Sequence, residues 1–221
     1  MRIIFIPGFA EDETIFSKIV PDISGDILVL NSWKIITDQR RDDLNVLKFA
    51  KEFIAAYNIT RNDILIGHSM GGWIAYHVKH LIGCRIIHIA SLTNTDRIIA
   101  PAINHPAVYW AVRQRLLFNP FTTWLSSLGF YHHRESKEIF MYFAHLLERG
   151  KTEIIVNELK ILLKPIDAVV TVQPDLRIHG DKDDILRPPK EQYYKVPGDH
   201  FCLYTHPKEV LVPIIEFLKG V

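Results

Sequence analysis

Residues 64–75 read Ile64-Leu65-Ile66-Gly67-His68-Ser69-Met70-Gly71-Gly72-Trp73-Ile74-Ala75. An apolar run meets a knot of small residues centred on Ser69. Apolar side chains then resume at helical spacing at Trp73, Ile74, Ala75, Val78 and Leu81. Gly67-His68-Ser69-Met70-Gly71 fits Gly-x-Ser-x-Gly, the pattern of a strand that turns sharply into a helix with a serine at the bend. Such a turn holds the serine backbone strained and pushes its hydroxyl out beyond the sheet. The flanking glycines remove Cβ atoms that would collide with the neighbouring strand and helix. The serine then stands at a helix N-terminus, where free N–H groups and the macrodipole favour a developing negative charge.

On either side of this knot the chain keeps one rhythm. Ile3–Ile6 is a short apolar run, as expected of a strand covered on both faces, and Pro7-Gly8-Phe9-Ala10 breaks it. Glu11, Asp12 and Glu13 precede Ile15, Phe16, Ile19 and Val20, which predicts an amphipathic helix with an acidic first turn. Ile27–Leu30 reads as a second strand, with Asn31-Ser32-Trp33 leaving its end, and 42–57 as a helix. After the elbow helix, Arg85–Ala90 is the next strand. Strands that are apolar throughout, alternating with helices, predict a parallel sheet with helices on both faces. Ligands of such sheets bind beyond the carboxyl ends of the strands, where Gly8-Phe9 and Ser69 both fall.

From Asn94 to about Val170 the rhythm changes: no strand is visible and aromatic residues abound, Trp110 and Trp124 among them. This stretch reads as a helical cap inserted into the core. The α/β pattern returns with strands at 175–180 and 192–196 and a closing helix at 207–218, whose Pro207 and Gly220 suit its two ends. The expectation is one domain over 1–221, with a core of 1–93 and 171–221 and a cap of about 94–170.

Twenty-six basic and 25 acidic residues are mixed along the chain, which argues against an electrostatic nucleic-acid footprint. The first apolar run is too short for a signal peptide, and no run approaches a membrane span of about 18 residues. Cys84 and Cys202 read as buried thiols of a reducing compartment, and no spacing suggests a metal site. A cytoplasmic monomer or small homo-oligomer is expected.

A serine needs a base to take its proton and an acid to orient that base. After the cap come His179-Gly180-Asp181-Lys182-Asp183-Asp184 and then Gly198-Asp199-His200-Phe201, each following a predicted strand. With Pro7-Gly8-Phe9 and the elbow, these four motifs make the whole chain resemble the α/β-hydrolase superfamily, closest to its small single-domain serine esterases. The resemblance implies an α/β-hydrolase fold: a mostly parallel sheet of about six strands, helices on both faces, and a helical cap before the acid-bearing strand.

On the family pattern Ser69 is the nucleophile, His200 the base and Asp183, at the His-Gly-x-x-Asp position, the acid; Asp184 is the alternative acid. Backbone N–H groups of Phe9 and Met70 would form the oxyanion hole. Three features depart from the family pattern. The family's extra N-terminal strands are missing, Pro7 replaces a frequent histidine at the oxyanion turn, and only 17 residues separate Asp183 from His200.

The implied activity is hydrolysis of a small-molecule carboxylic ester with an apolar acyl group, through an acyl-enzyme and with no cofactor. Trp33, Trp110 and Trp124 are candidate substrate contacts. The alternatives are a thioesterase or methyl-ester esterase acting on an acyl carrier, with Arg113 and Arg115 as phosphate anchors, and a non-catalytic binder. His68 is expected to pack under the elbow and His179 to fix the acid loop. Asp181 and Asp199 are expected to be solvated loop charges, and His132-His133 to serve surface or packing roles.

Overall fold

The computed structural model describes residues 1–99 and 105–221. Residues 100–104, within the expected cap, lie outside the described residues. Six strands form one sheet: β1 (Arg2–Ile6), β2 (Asp26–Val29), β3 (Ile64–His68), β4 (Arg85–Ile89), β5 (Leu176–Gly180) and β6 (Tyr194–Val196). Their order is β2-β1-β3-β4-β5-β6 and every pairing is parallel.

The strands carry apolar side chains on both faces, and alternation divides them into two cores. Ile3, Phe5, Ile64, Ile66, Ile87 and Ile178 pack on one side with Phe16, Val210 and Ile214. Ile4, Ile6, Leu65 and Ile86 pack on the other with Phe49, Phe53 and Ile74. Two helices cover the second face: α2 (Val46–Tyr57), and α3 (Met70–Ile82), which follows the elbow. The short α1 (Ser32–Ile35) precedes them in the chain. The helix expected from residue 42 starts later because the Asn45 side chain caps it, accepting the Lys48 N–H at 3.0 Å.

The amphipathic helix expected after Glu11 is replaced by two 3-10 turns, Glu13–Phe16 and Val20–Asp22. Pro21 has no N–H to continue a helical ladder, and the Asp12 side chain caps Thr14.

Between β4 and β5 the chain forms α4 (His105–Arg113), α5 (Pro120–Phe130), α6 (Arg134–Arg149) and α7 (Thr152–Leu163). Helix α7 is buried along most of its length and packs against α2, α3 and α4. The chain closes with α8 (Cys202–Thr205) and α9 (Pro207–Lys219), the latter on the first sheet face. No described helix is long and apolar enough to cross a membrane.

From β1 the chain moves outward to β2 and then crosses to the other side of β1 to lay down β3. The strand order reverses between β1 and β3, so a crevice opens at their carboxyl ends. The candidate site residues gather there.

Candidate active site

Ile6 at the end of β1 is in register with Gly67 of β3. The loop bearing Phe9 and the turn bearing Ser69 therefore leave the sheet side by side. Ser69 lies between β3 and α3 with φ 50° and ψ −120°, a region L-residues avoid at a cost of about 1–3 kcal/mol. Its N–H donates to the Ile89 carbonyl at 3.1 Å, and the Ser69 carbonyl accepts from the Ser91 hydroxyl at 2.7 Å. A Cβ on Gly67 would collide with the Gly72 backbone, and one on Gly71 with the Ile6 carbonyl. Close packing of strand, turn and helix thus requires both glycines.

Three side chains form one hydrogen-bonded chain. Ser69 Oγ lies 3.0 Å from His200 Nε2, and His200 Nδ1 lies 2.9 Å from Asp183 Oδ2. With the proton on Nδ1, that nitrogen donates to Asp183 and Nε2 is free to accept from the serine. Asp183 Oδ1 accepts the N–H groups of Ile185 and Leu186, each at 2.9 Å, which fixes the carboxylate at the turn after β5. Burial works against charge on the His200 ring, but the charge and hydrogen bond of Asp183 outweigh it, and the ring is held above the ordinary histidine value. Burial likewise opposes ionisation of Asp183, and His200 overcomes it, leaving the carboxyl below its ordinary value. Asp184 is exposed and pairs with His132 Nε2 at 2.7 Å; it does not reach His200.

In the loop after β1 most N–H groups are engaged, but that of Phe9 is not. Gly8 N–H donates to Glu11 Oε2 at 2.6 Å, Ala10 N–H to Glu158 Oε2 at 3.1 Å, and Glu11 N–H to the Gly8 carbonyl at 3.3 Å. Phe9 N–H, and that of Met70 at the first position of α3, have no acceptor among the described residues. Glu11 Oε2 also meets His68 Nδ1 at 2.8 Å, and the other nitrogen of that fully buried ring donates to the His200 carbonyl at 3.0 Å. His68, lying under the elbow, therefore links the β1 loop to the loop carrying His200. Glu158, from α7, is fully buried, and burial pushes its carboxyl up to about 8.

Ser69 and His200 open into a cavity of about 370 Å³ between the sheet edge and the inserted helices. Phe9, Leu92, Leu117, Phe118, Phe130 and Phe143 give it a mainly apolar wall. The three tryptophans singled out from the sequence are not among the wall residues. Trp110 and Trp124 are more than half exposed, and Trp33 sits on α1 with its indole N–H donating to the Ala10 carbonyl at 3.2 Å.

Asp199 corrects another expectation. It is fully buried, accepting from Ser136 Oγ at 2.8 Å, His132 N–H at 3.0 Å and Phe201 N–H at 3.1 Å, and so ties α6 to the loop of His200. Asp181 is exposed but accepts the Gly198 N–H at 3.1 Å. His179 Nε2 donates to the Leu186 carbonyl at 3.2 Å, within the turn that carries Asp183. Arg113 is engaged by Glu153, and Arg115 by the Glu148 carbonyl.

Sequence reasoning missed the roles of Glu11 and Glu158. Glu158 had a visible signal: the single carboxylate between Ile154 and Leu163, a helical stretch that is otherwise apolar except for Asn157 and Lys160.

The family model described as the alpha/beta hydrolase family matches residues 21–213. The chain belongs to this family. Three solved structures show how far the hydrolase architecture extends along the chain. A hydrolase from Oleispira antarctica superposes with a TM-score of 0.74 at 12% identity, covering 100% of this chain and 91% of the other. A thermophilic esterase from Thermogutta terrifontis gives 0.73 at 15% identity, covering 100% and 90%. The enol-lactonase of Burkholderia xenovorans LB400 gives 0.70 at 12% identity, covering 99% and 91%. At such identities the hydrolase fold is what is shared. No protein of curated function matches the sequence.

Proposed function

We propose that this hydrolase cleaves a carboxylic ester with an apolar acyl group through a covalent acyl-enzyme. The observation that carries the reading is the unbroken chain Ser69–His200–Asp183 opening into an apolar cavity. His200 takes the Ser69 proton as Oγ attacks the ester carbonyl. The oxyanion rests on the N–H groups of Phe9 and Met70, each worth about 2.7–4 kcal/mol in the transition state. His200 then gives the proton to the departing alcohol. Water, deprotonated by the same ring, attacks the acyl-serine and releases the acid with Ser69 restored.

Esterase and lactonase names among the structural neighbours agree with acyl transfer to water. A carrier-bound thioester is a weaker reading, because the arginines that would anchor its phosphate are engaged within the inserted helices. The test is hydrolysis of p-nitrophenyl esters of increasing acyl length by the parent and by Ser69→Ala. Activity in the parent, lost in the variant and with a chain-length optimum, is expected. Equal inactivity of both on every ester would overturn the ester reading.

A further inference from the structure

A second cavity, of about 270 Å³, lies beside the carboxyl end of β4 and the first residues of β5. Its floor is unusual in charge. His88 of β4 and Arg177 of β5 are register partners, both at least nine-tenths buried. The guanidinium of Arg177 donates to the Gln173 side chain but makes no ion pair with any described residue. Burial draws its pKa below the ordinary arginine value, and Glu191 at the rim opposes this only in part. His88 Nε2 is buried with no hydrogen-bond partner. Burial, reinforced by the charge of Arg177, pushes this ring down to about 3, so it is neutral at physiological pH.

Three more cations line the cavity, Arg97, Arg187 and Lys190, and none has an ion-pair partner among the described residues. Asp96 and Glu191 are the carboxylates on the wall, so cations outnumber anions by two to one. A buried guanidinium without a counter-ion is costly, and a multiply charged oxyanion is the ligand that arginine forks match best. The volume falls just under the usual range of about 300–1,000 Å³ for ligand pockets, which favours a small anion over a nucleotide.

We propose that this cavity binds a phosphate group, either free or as a small phosphomonoester, between Arg177, His88 and the Arg97, Arg187 and Lys190 side chains. The inference does not depend on the ester chemistry of the other site. The two sites touch nonetheless: Leu92 lines both cavities, and Ser91, on the wall of this one, holds the Ser69 carbonyl.

The test is isothermal titration of the full chain with inorganic phosphate and with glycerol 3-phosphate, against sodium chloride at matched ionic strength. Saturable binding of one equivalent is expected, absent with chloride and weakened at least tenfold by Arg177→Gln. Tighter binding of glycerol 3-phosphate than of phosphate would identify a phosphomonoester site, and equal or weaker binding a site for free phosphate. The ring resonances of His88 should shift on saturation. Should Arg177→Gln fail to fold, Arg187→Gln combined with Lys190→Gln alters only exposed rim residues and should weaken binding severalfold. No saturable binding of either compound, or binding unaffected by these variants, would overturn the proposal.

Discussion

Replacing Glu158 by glutamine removes a titrating carboxyl and leaves an amide of nearly the same shape, able to accept the Ala10 N–H through its oxygen. In the folded chain, burial pushes this carboxyl up to about 8 from an ordinary value of 4.5. Between those values the folded state holds a proton that the unfolded state has released, so stability falls as pH rises. The favourable contribution is complete below about 4.5 and is lost as pH climbs through about 8. The limiting slope is about 1.4 kcal/mol per pH unit, or about 4 kcal/mol between pH 5 and 8.

Glu158→Gln has no such proton. Its stability relative to the parent should therefore improve steadily from pH 5 to pH 8. Urea unfolding of both proteins at pH 5, 6, 7 and 8 measures the difference directly, with every other titrating group cancelling. A difference flat to within about 0.5 kcal/mol would show that Glu158 is ionised in the fold and that the account of its burial is wrong.

Four further outcomes are expected. Asp183→Asn should lower kcat about 10⁴-fold on an ester substrate, whereas Asp184→Asn should stay within about twofold; steady-state kinetics decide between the two carboxylates. The acid limb of kcat/KM should lie above pH 6.5, because His200 must be neutral to accept the serine proton and its pKa is raised. Phe118→Ala should move the acyl-length optimum of p-nitrophenyl esters upward, while Trp124→Ala, on the exposed side of α5, should leave it unchanged. Gly71→Ala should yield little folded protein by circular dichroism, since its Cβ would occupy the space of the Ile6 carbonyl.

The fold was legible where local sterics leave a mark in the residue string. Gly67, Ser69 and Gly71 spell out a strained turn, and the strands around them are apolar on both faces. Of the candidate site, what was legible was the meeting of side chains at the ends of recognisable strands, as with His200 and Asp183. It was not legible where a side chain serves a distant backbone group. Glu158 accepts from a residue 148 positions away, and no feature of Ala10 announces it. Asp199 follows Pro197-Gly198 and so looks like a loop charge, yet its partner Ser136 is 63 positions distant. The tryptophans misled because aromatic content says nothing of which face a helix turns inward; Trp124 lies on an outer face of α5 while Thr123 beside it is buried.

Two of these remote contacts constrain how the molecule could be rebuilt. Helix α7 supplies the carboxyl that receives the Ala10 N–H, and α6 supplies the hydroxyl that Asp199 binds next to His200. Residues 105–163 therefore cannot be exchanged as a neutral cassette to reshape the cavity beside Ser69. A chimera would have to bring its own counterparts of Ser136 and Glu158 at the same two points. Otherwise the loop bearing Phe9 and the loop bearing His200 would each lose an anchor, although every residue of the core had been left untouched.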